Sequence, residues 1–245
     1  MLFFNKKYTL ADSGILNGFT DWHCHLLPGV DDGVGTLDET LAILDTYRKH
    51  GVKKVWLTPH VMEDCPNAPA DLQCRYEALK KEYSALYRSD AIELHLASEH
   101  MLDNLFDSRL AKGDVLPIAA DNSLLLVETS YFTAPYNMEG KLDDVKRAGY
   151  YPLLAHPERY RYMEEKDYDR LLSQSIRLQL DLYSLLSLYD PVAEHKARML
   201  LKKGAYSVVG TDTHSLRQLQ AALNSKALKS DDIRRLEQIL AASPL

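Results

Sequence analysis

Two histidines one residue apart, in Asp21-Trp22-His23-Cys24-His25, precede a turn that carries two carboxylates, Gly29-Val30-Asp31-Asp32-Gly33. In an extended strand alternate side chains share a face, so His23 and His25 point together and Cys24 points away. The same chemistry recurs at the ends of later apolar runs. His60 follows Thr58-Pro59, Glu99 follows Leu94–Ser98, Glu128 ends Leu124–Val127 and His156 ends Pro152–Ala155; Asp181 closes Arg177–Leu180, and Asp212 and His214 form a second alternating pair after Val208–Thr211. Five of the nine histidines fall at such ends, where chance placement would scatter some to strand starts and middles. Carboxylates crowded together repel, and bound cations relieve the repulsion. Imidazole and carboxylate donors without thiolate suit Mn, Fe, Zn or Co, with Mg also compatible. About nine donors are enough for two or three ions and too many for one. Carboxylates bridging such ions, with a shared hydroxide between them, suit the hydrolysis of phosphate esters.

Arg159, three residues beyond His156, can grip phosphoryl oxygens through its forked donors, although an ion pair with Glu158 or Glu164 explains its position equally well. Arg217, three residues after His214, invites the same role with weaker support. Tyr131, Phe132, Tyr136, Tyr160 and Tyr162 fall on loops at the same end and could wall a flat aromatic substrate or simply pack the rim. His50 ends a helix, His195 lies on a helix face, His95 lies within a strand, and His100 faces away from its neighbour Glu99 if the strand persists.

These positions require strands that deliver their C-terminal ends to one place. Apolar runs of strand length (18–22, 54–58, 92–97, 124–128, 151–155, 177–181 and 207–210) alternate with helical periodicity over 37–50, 71–87, 102–110, 138–148, 166–174 and 184–203. Two more helices, 216–225 and 230–242, follow the last strand. Thr36 before Leu37-Asp38-Glu39 is a capping-box signal, and Gly51, Gly149 and Gly204 are helix stops. Strand–helix–strand repetition implies parallel strands with right-handed crossovers. Seven such units without a linker predict a single domain over 1–245, a distorted (β/α)7 TIM-like barrel with its site at the C-terminal strand ends. Residues 1–17 are a lead-in segment that packs on the barrel; its Phe3-Phe4 and Lys6-Lys7 pairs could instead touch a membrane-bound partner.

The formal net charge of −6 argues against a nucleic-acid partner. Three cysteines without a CxxC pair suggest a reducing cytoplasm, and the short apolar N-terminus and lack of long apolar runs predict neither a signal peptide nor membrane insertion. Six residues after Cys24, Cys65 and Cys74 come Val30, Asp71 and Lys80, which rules out a Cys-x5-Arg phosphate loop.

The stretches 21–33, Thr58-Pro59-His60, Ala155-His156-Pro157-Glu158-Arg159 and Gly210-Thr211-Asp212-Thr213-His214 occur in the order of the polymerase-and-histidinol-phosphatase (PHP) superfamily. Within it the chain resembles the bacterial manganese-dependent protein-tyrosine phosphatases of capsule and exopolysaccharide synthesis. The resemblance implies three divalent ions, manganese first. One would be held by His23, His25, Glu99 and Asp212, a second by Glu99, Glu128 and His156, and a third by Asp32, His60 and His214, with Asp31 beside them. It implies that Arg159 binds phosphate, and that the substrate is a phosphotyrosine protein such as the tail of a tyrosine autokinase. Ser215-Leu216-Arg217 departs from the Gly-Arg pair common in the family, and Asp181 stands where a neutral polar residue is expected. The alternatives are a small-molecule phosphomonoesterase of histidinol-phosphate or sugar-phosphate type and an inactive metal-binding interaction module. A homo-oligomer is compatible with the sequence, which does not identify a general acid.

Overall fold

The computed structural model describes residues 6–87, 90–118, 121 and 123–243. The first half of the chain contains β1 (Lys7–Tyr8), β2 (Thr20–Cys24), α1 (Leu37–Lys49), β3 (Lys54–Leu57), β4 (His60–Val61), α2 (Pro69–Leu86), β5 (Glu93–Leu96), β6 (Glu99–Met101) and α3 (Phe106–Lys112). The second half contains β7 (Leu124–Glu128), α4 (Met138–Arg147), β8 (Tyr151–Leu154), α5 (Glu165–Ser173), β9 (Arg177–Asp181), α6 (Pro191–Lys203), β10 (Tyr206–Gly210), α7 (Leu216–Asn224), β11 (Leu228–Lys229) and α8 (Ser230–Ala242).

The fold is α/β, with parallel sheets of order β2-β3-β5 and β10-β9-β8-β7-β6-β4, and a small antiparallel pair, β1–β11. Each of the seven expected strands is present, but two are interrupted. Pro59 offers no N–H to a ladder, so β3 ends at Leu57 and pairing resumes in β4. A similar break at Ala97-Ser98 separates β5 from β6. Backbone bonds bridge the interruptions: Ala97 N–H donates to Leu57 O (2.9 Å) and Glu99 N–H to Pro59 O (3.1 Å). At the other edge His23 O accepts from the N–H groups of Thr211 (3.1 Å) and Asp212 (2.8 Å), and His25 N–H donates to Thr213 O (2.9 Å).

Both faces of the strands are buried, which is why they read as continuous apolar runs. Leu124 and Leu126 join Trp22, Trp56, Leu153 and Val208 in a small cluster, whereas Leu125 and Val127 enter the large cluster formed with the helices. That cluster includes residues from Leu10 to Ile239. Of the lead-in, Leu10, Ile15 and Leu16 are buried and Ala11 N–H donates to Leu223 O (3.2 Å). Lys6 and Lys7 are exposed, while Phe3-Phe4 lies outside the described residues. Among the described residues no helix is long and apolar enough to cross a membrane.

The expected helix 184–203 is not continuous. Residues Leu182–Leu186 form a tight 3-10 turn, Ser187 is left-handed (φ 57°), and α6 starts only at Pro191, where the Asp190 carboxylate accepts from the N–H groups of Val192 and Ala193. A capping Asp before Pro is a helix start, and this local signal overrides the apolar periodicity preceding it. The helix expected from Leu102 begins at Phe106, because Asp103 accepts from Leu105 N–H (3.0 Å) and holds a turn. At α1, Thr36 caps Glu39 N–H (3.3 Å) as expected, but the Glu39 carboxylate does not close a capping box. It accepts instead from Leu216 N–H (3.0 Å) and tethers the start of α7 beside His214. Gly51, Gly149 and Gly204 all adopt positive φ at the expected helix stops.

Candidate metal centre

The alternation of β2 turns His23 and His25 to one side, with their Nε2 atoms 3.1 Å apart. Cys24 points the other way, donates to Trp56 O (3.3 Å), and has its thiol pushed far up by burial, so it is not a nucleophile. Into the gap between the two imidazoles come Glu99, the first residue of β6, and Asp212, two residues beyond β10. Glu99 Oε2 lies 3.2 and 3.3 Å from the two Nε2 atoms, and Asp212 Oδ1 lies 3.3 Å from each. Donors on a tetrahedron with arms of about 2.1 Å stand about 3.4 Å apart, close to this spacing.

The cluster extends outward from there. His60 Nδ1 lies 3.1 Å from Glu99 Oε2 and 3.0 Å from Glu128 Oε1. His60 Nε2 and His214 Nε2 each lie 3.4 Å from Asp32 Oδ1. His156 Nε2 approaches Glu99 Oε1 (2.9 Å) and Glu128 Oε2 (4.0 Å). Three groups bring donor atoms within 4.8 Å of one another: His23, His25, Glu99 and Asp212; His25, Asp32, His60 and His214; and His60, Glu99 and Glu128. All nine residues expected as ligands therefore meet in one cluster, with His60 rather than His156 completing the tightest group around Glu128.

Several buried atoms of this cluster lack a hydrogen-bond partner: His60 Nδ1, Glu99 Oε2, Glu128 Oε1, His156 Nδ1 and Asp212 Oδ1. Burying such groups unsatisfied is costly, and divalent ions would satisfy carboxylate oxygens and imidazole nitrogens together. The donor set fits hard to borderline ions of the Mn, Fe or Zn type.

Neighbours orient these donors. Gln179 Oε1 accepts from His23 Nδ1 (3.0 Å) and from His156 N–H (3.2 Å), which leaves the His23 Nε2 lone pair facing the cluster. Asp31 does the same for His25: its Oδ2 accepts from Nδ1 (2.7 Å) and from His60 N–H (3.0 Å). Asp31 thus orients ligands and lies outside the three donor groups. Asp21, whose carboxyl burial pushes up to about 6, accepts from Tyr47 Oη (3.0 Å), Thr211 N–H (2.8 Å) and Thr211 Oγ1 (2.7 Å), and so pins the end of β10 to β2. His156 (φ 32°) and Asp212 (φ 50°) are left-handed residues other than glycine, a strain of about 1–3 kcal/mol each that clusters at functional sites.

Two glycines permit the close packing. A Cβ on Gly33 would collide with His25 O and Cβ, and one on Gly210 with His23 Cβ and, at 2.9 Å, His23 N. Because the obstacles are backbone and Cβ atoms, Gly210→Ala is expected to lower stability by about 1–3 kcal/mol and to weaken metal binding by displacing His23. Denaturant unfolding and metal titration of the variant check both effects.

Burial opposes a charge on His23, but Glu99 and Asp212 outweigh it and raise its pKa to about 9. Burial likewise disfavours charge on His60, and the facing carboxylates raise its pKa further. Without metal, these imidazoles hold protons at neutral pH, whereas a metal ligand must be neutral. Metal loading near pH 7 is therefore expected to release at least one proton per chain, and affinity is expected to rise with pH toward about 9. Calorimetric titrations in two buffers of different ionisation enthalpy would read the release directly; identical enthalpies would contradict it.

Arg159 sits at the rim of the cluster. Its Nη1 donates to Asp212 Oδ2 (2.5 Å) and approaches Asp181 Oδ2 (3.5 Å). The pairing with Glu158 or Glu164 does not form. Glu158 is buried against Asp181 N–H (2.9 Å) and Tyr206 Oη (3.0 Å), and Glu164 pairs with Lys166 (2.9 Å). Asp181 also caps the 3-10 turn by accepting from Tyr183 N–H (2.8 Å), and burial pushes its carboxyl well up. Arg217, expected as a second phosphate ligand, is exposed on the first turn of α7 and forms no ion pair or hydrogen bond with the cluster.

Of the mouth aromatics, Tyr131 reaches the site, with its ring 5.6 Å from that of His156 and 4.5 Å from Arg159 Cζ. Tyr160 and Tyr162 bond Thr129 and brace the end of β7, while Phe132 and Tyr136 are exposed. His100 is buried away from the donors, and burial lowers its pKa to about 3. Its Nε2 accepts from Leu116 N–H (3.4 Å). His95 stacks on Trp56, His50 caps α1, and His195 is exposed on α6.

Parallel strands that carry imidazoles and carboxylates into one cluster define an α/β protein able to hold divalent ions. Residues 19–231 match the CpsB/CapC family of capsular polysaccharide synthesis, and the chain belongs to that family. It is 26% identical over 202 residues to the tyrosine-protein phosphatase YwqE of Bacillus subtilis (strain 168), covering 80% of this chain and 78% of that protein. It is also 26% identical over 208 residues to the tyrosine-protein phosphatase CpsB of Streptococcus agalactiae serotype V, covering 80% and 83%. A chain from the crystal structures of YwqE from Bacillus subtilis and CpsB from Streptococcus pneumoniae, reported as metal-dependent tyrosine phosphatases, matches with a TM-score of 0.75 at 22% identity. That match covers 93% of this chain and 96% of the other and shows a shared fold.

Proposed function

We propose that this protein is a metal-dependent protein-tyrosine phosphatase of capsule-type polysaccharide synthesis, acting on phosphotyrosine in a tyrosine autokinase tail. The observation that carries the reading is a half-buried arginine fork, Arg159, fixed beside a cluster of orphaned imidazole and carboxylate donors. Cations and an arginine side by side suit a dianionic phosphoryl group. The relatives named tyrosine-protein phosphatases support the substrate class.

Lone-pair accounting supports three ions. His25 spends Nδ1–H on Asp31, so its Nε2 serves the group with His23, Glu99 and Asp212. A neutral imidazole has one free lone pair, so His60 serves one ion. Assigned to Asp32 and His214, it leaves Glu99 and Glu128 to be completed by His156, which already touches Glu99 (2.9 Å). In this arrangement Glu99 would serve two sites, and manganese is the ion the reading favours.

Divalent ions bound there would supply Lewis acidity toward phosphoryl oxygens and lower the pKa of water to near 7. Arg159 would hold equatorial oxygens and stabilise the charge that develops on them. Tyr131 would wall the phenyl ring of the substrate. The departing phenolate has a conjugate-acid pKa of about 10 and needs less protonation than an alkoxide.

The same reading makes the chain a single domain, a distorted barrel of seven strand positions. The bonds between the end of β2 and the residues just after β10, and the inner cluster of alternate strand residues, support closure. It further places the protein in the cytoplasm, with a homo-oligomer allowed. The test is kcat/KM with manganese on phosphotyrosine peptides against histidinol phosphate and sugar phosphates. A clear preference for the peptides is expected, and preference for an alkyl phosphate would sink the assignment.

A further inference from the structure

We infer that Tyr189, together with Tyr131, is a positioning residue that clamps the Arg159 guanidinium in the orientation that receives a phosphoryl group; this rests on the phosphatase reading above. Arg159 Cζ lies over both rings, 4.2 Å from the Tyr189 centroid and 4.5 Å from that of Tyr131. Cation–π attraction and the flatness of the guanidinium let two rings in contact with it form a slot that fixes its plane.

The slot is itself anchored. Tyr189 immediately precedes Asp190, the cap of α6, and its Oη accepts from Gln218 Nε2 (3.3 Å). Gln218 Oε1 in turn accepts from His214 N–H (2.7 Å). The clamp is therefore tied to the loop that carries Asp212 and His214.

The local charges show why a clamp is needed. Asp212 and Asp181 both face Arg159, and a free side chain could turn its whole fork onto them. Held between the rings, it spends only Nη1 on these acids, and Nε and Nη2 make no hydrogen bond to the described residues. Those N–H groups remain for an incoming oxyanion. Asp212 Oδ2 takes the arginine while Oδ1 faces the imidazoles, so the clamp also sets the distance between the phosphate fork and the donor cluster. Spacing did not reveal Tyr189, because it lies in the irregular stretch between the 3-10 turn and α6.

The experiment compares the manganese-loaded parent with Tyr189→Phe and Tyr189→Leu. Inorganic phosphate binding is measured by calorimetry, together with kcat and KM on an aryl phosphate and manganese content per chain. Tyr189→Leu is expected to weaken phosphate binding and lower kcat/KM by about tenfold each, with manganese content unchanged. Tyr189→Phe, which keeps the ring but loses the bond to Gln218, should lose no more than about threefold and bind phosphate clearly tighter than Tyr189→Leu. If Tyr189→Leu fails to fold, inorganic phosphate binding by Tyr131→Leu, weaker than the parent's if the rings clamp Arg159 and equal to it if they do not, decides the question at the second ring. Phosphate binding by the Leu variant as tight as the parent's, a Phe variant as impaired as the Leu variant, or no phosphate binding by the parent overturns the inference. A parent that binds phosphate but does not hydrolyse phosphotyrosine refutes the phosphatase reading alone, and the phosphate comparison still decides the clamp.

Discussion

Replacing Glu99 with Gln is expected to lower kcat on an aryl phosphate by about three orders of magnitude and to reduce manganese content. The magnitude follows from the position of its two oxygens. Oε2 lies 3.1–3.3 Å from His23, His25 and His60, and Oε1 lies 2.9 Å from His156. Among the described residues no other carboxylate touches four imidazoles, so removing its charge disturbs two of the proposed ion sites together. Glutamine keeps the size of the side chain, and the fold should survive. Elemental analysis, circular dichroism and turnover on one preparation separate loss of metal from loss of structure. Full manganese content in the variant would remove Glu99 from its proposed bridging role.

Arg159→Ala should lower kcat/KM by about 10²–10³, the scale of deleting one transition-state donor in a desolvated site, while leaving manganese content near that of the parent. Arg159→Lys should recover only part of the loss, because an ammonium cannot present a planar fork or fill the slot between two rings. Burial opposes the arginine's charge but Asp212 more than offsets it, so the guanidinium stays charged throughout the accessible pH range. The Ala variant also leaves Asp212 Oδ2 without its partner, so some loss of stability is expected alongside the kinetic effect. Steady-state kinetics on an aryl phosphate and a phosphotyrosine peptide check the prediction, and unchanged kcat/KM on both would exclude Arg159 from the reaction.

Much of the site was legible because strand geometry is periodic. The two-residue alternation of β2 alone places His23 and His25 together and excludes Cys24, and the structure repeats that sorting along β7. Of the polar residues ending an apolar run, His60, Glu99, Glu128, His156, Asp212 and His214 land in the cluster, and Asp181 does not. What stayed hidden depends on partners far apart in the chain. Asp31 reads only as a neighbour of the donors until His25 Nδ1 is seen to bond it, and Asp181 becomes intelligible as a turn cap facing Arg159. Gln179 left a faint signal, a polar residue inside the buried run Leu178-Gln179-Leu180, whereas Tyr189 left none. Arg217 lies exposed on the first turn of α7 and makes no bond to the donors. The broken strands at Pro59 and Ser98 and the interrupted helix at Asp190-Pro191 are failures of a different kind, where one local residue outweighs a long pattern.

The most direct test of metal-dependent phosphatase chemistry is to strip the protein with a chelator, then titrate manganese back while measuring bound metal and phosphotyrosine-peptide hydrolysis on the same sample. The account predicts no turnover in the stripped protein and activity that rises as about three ions bind per chain. Full hydrolysis by metal-free protein would contradict it.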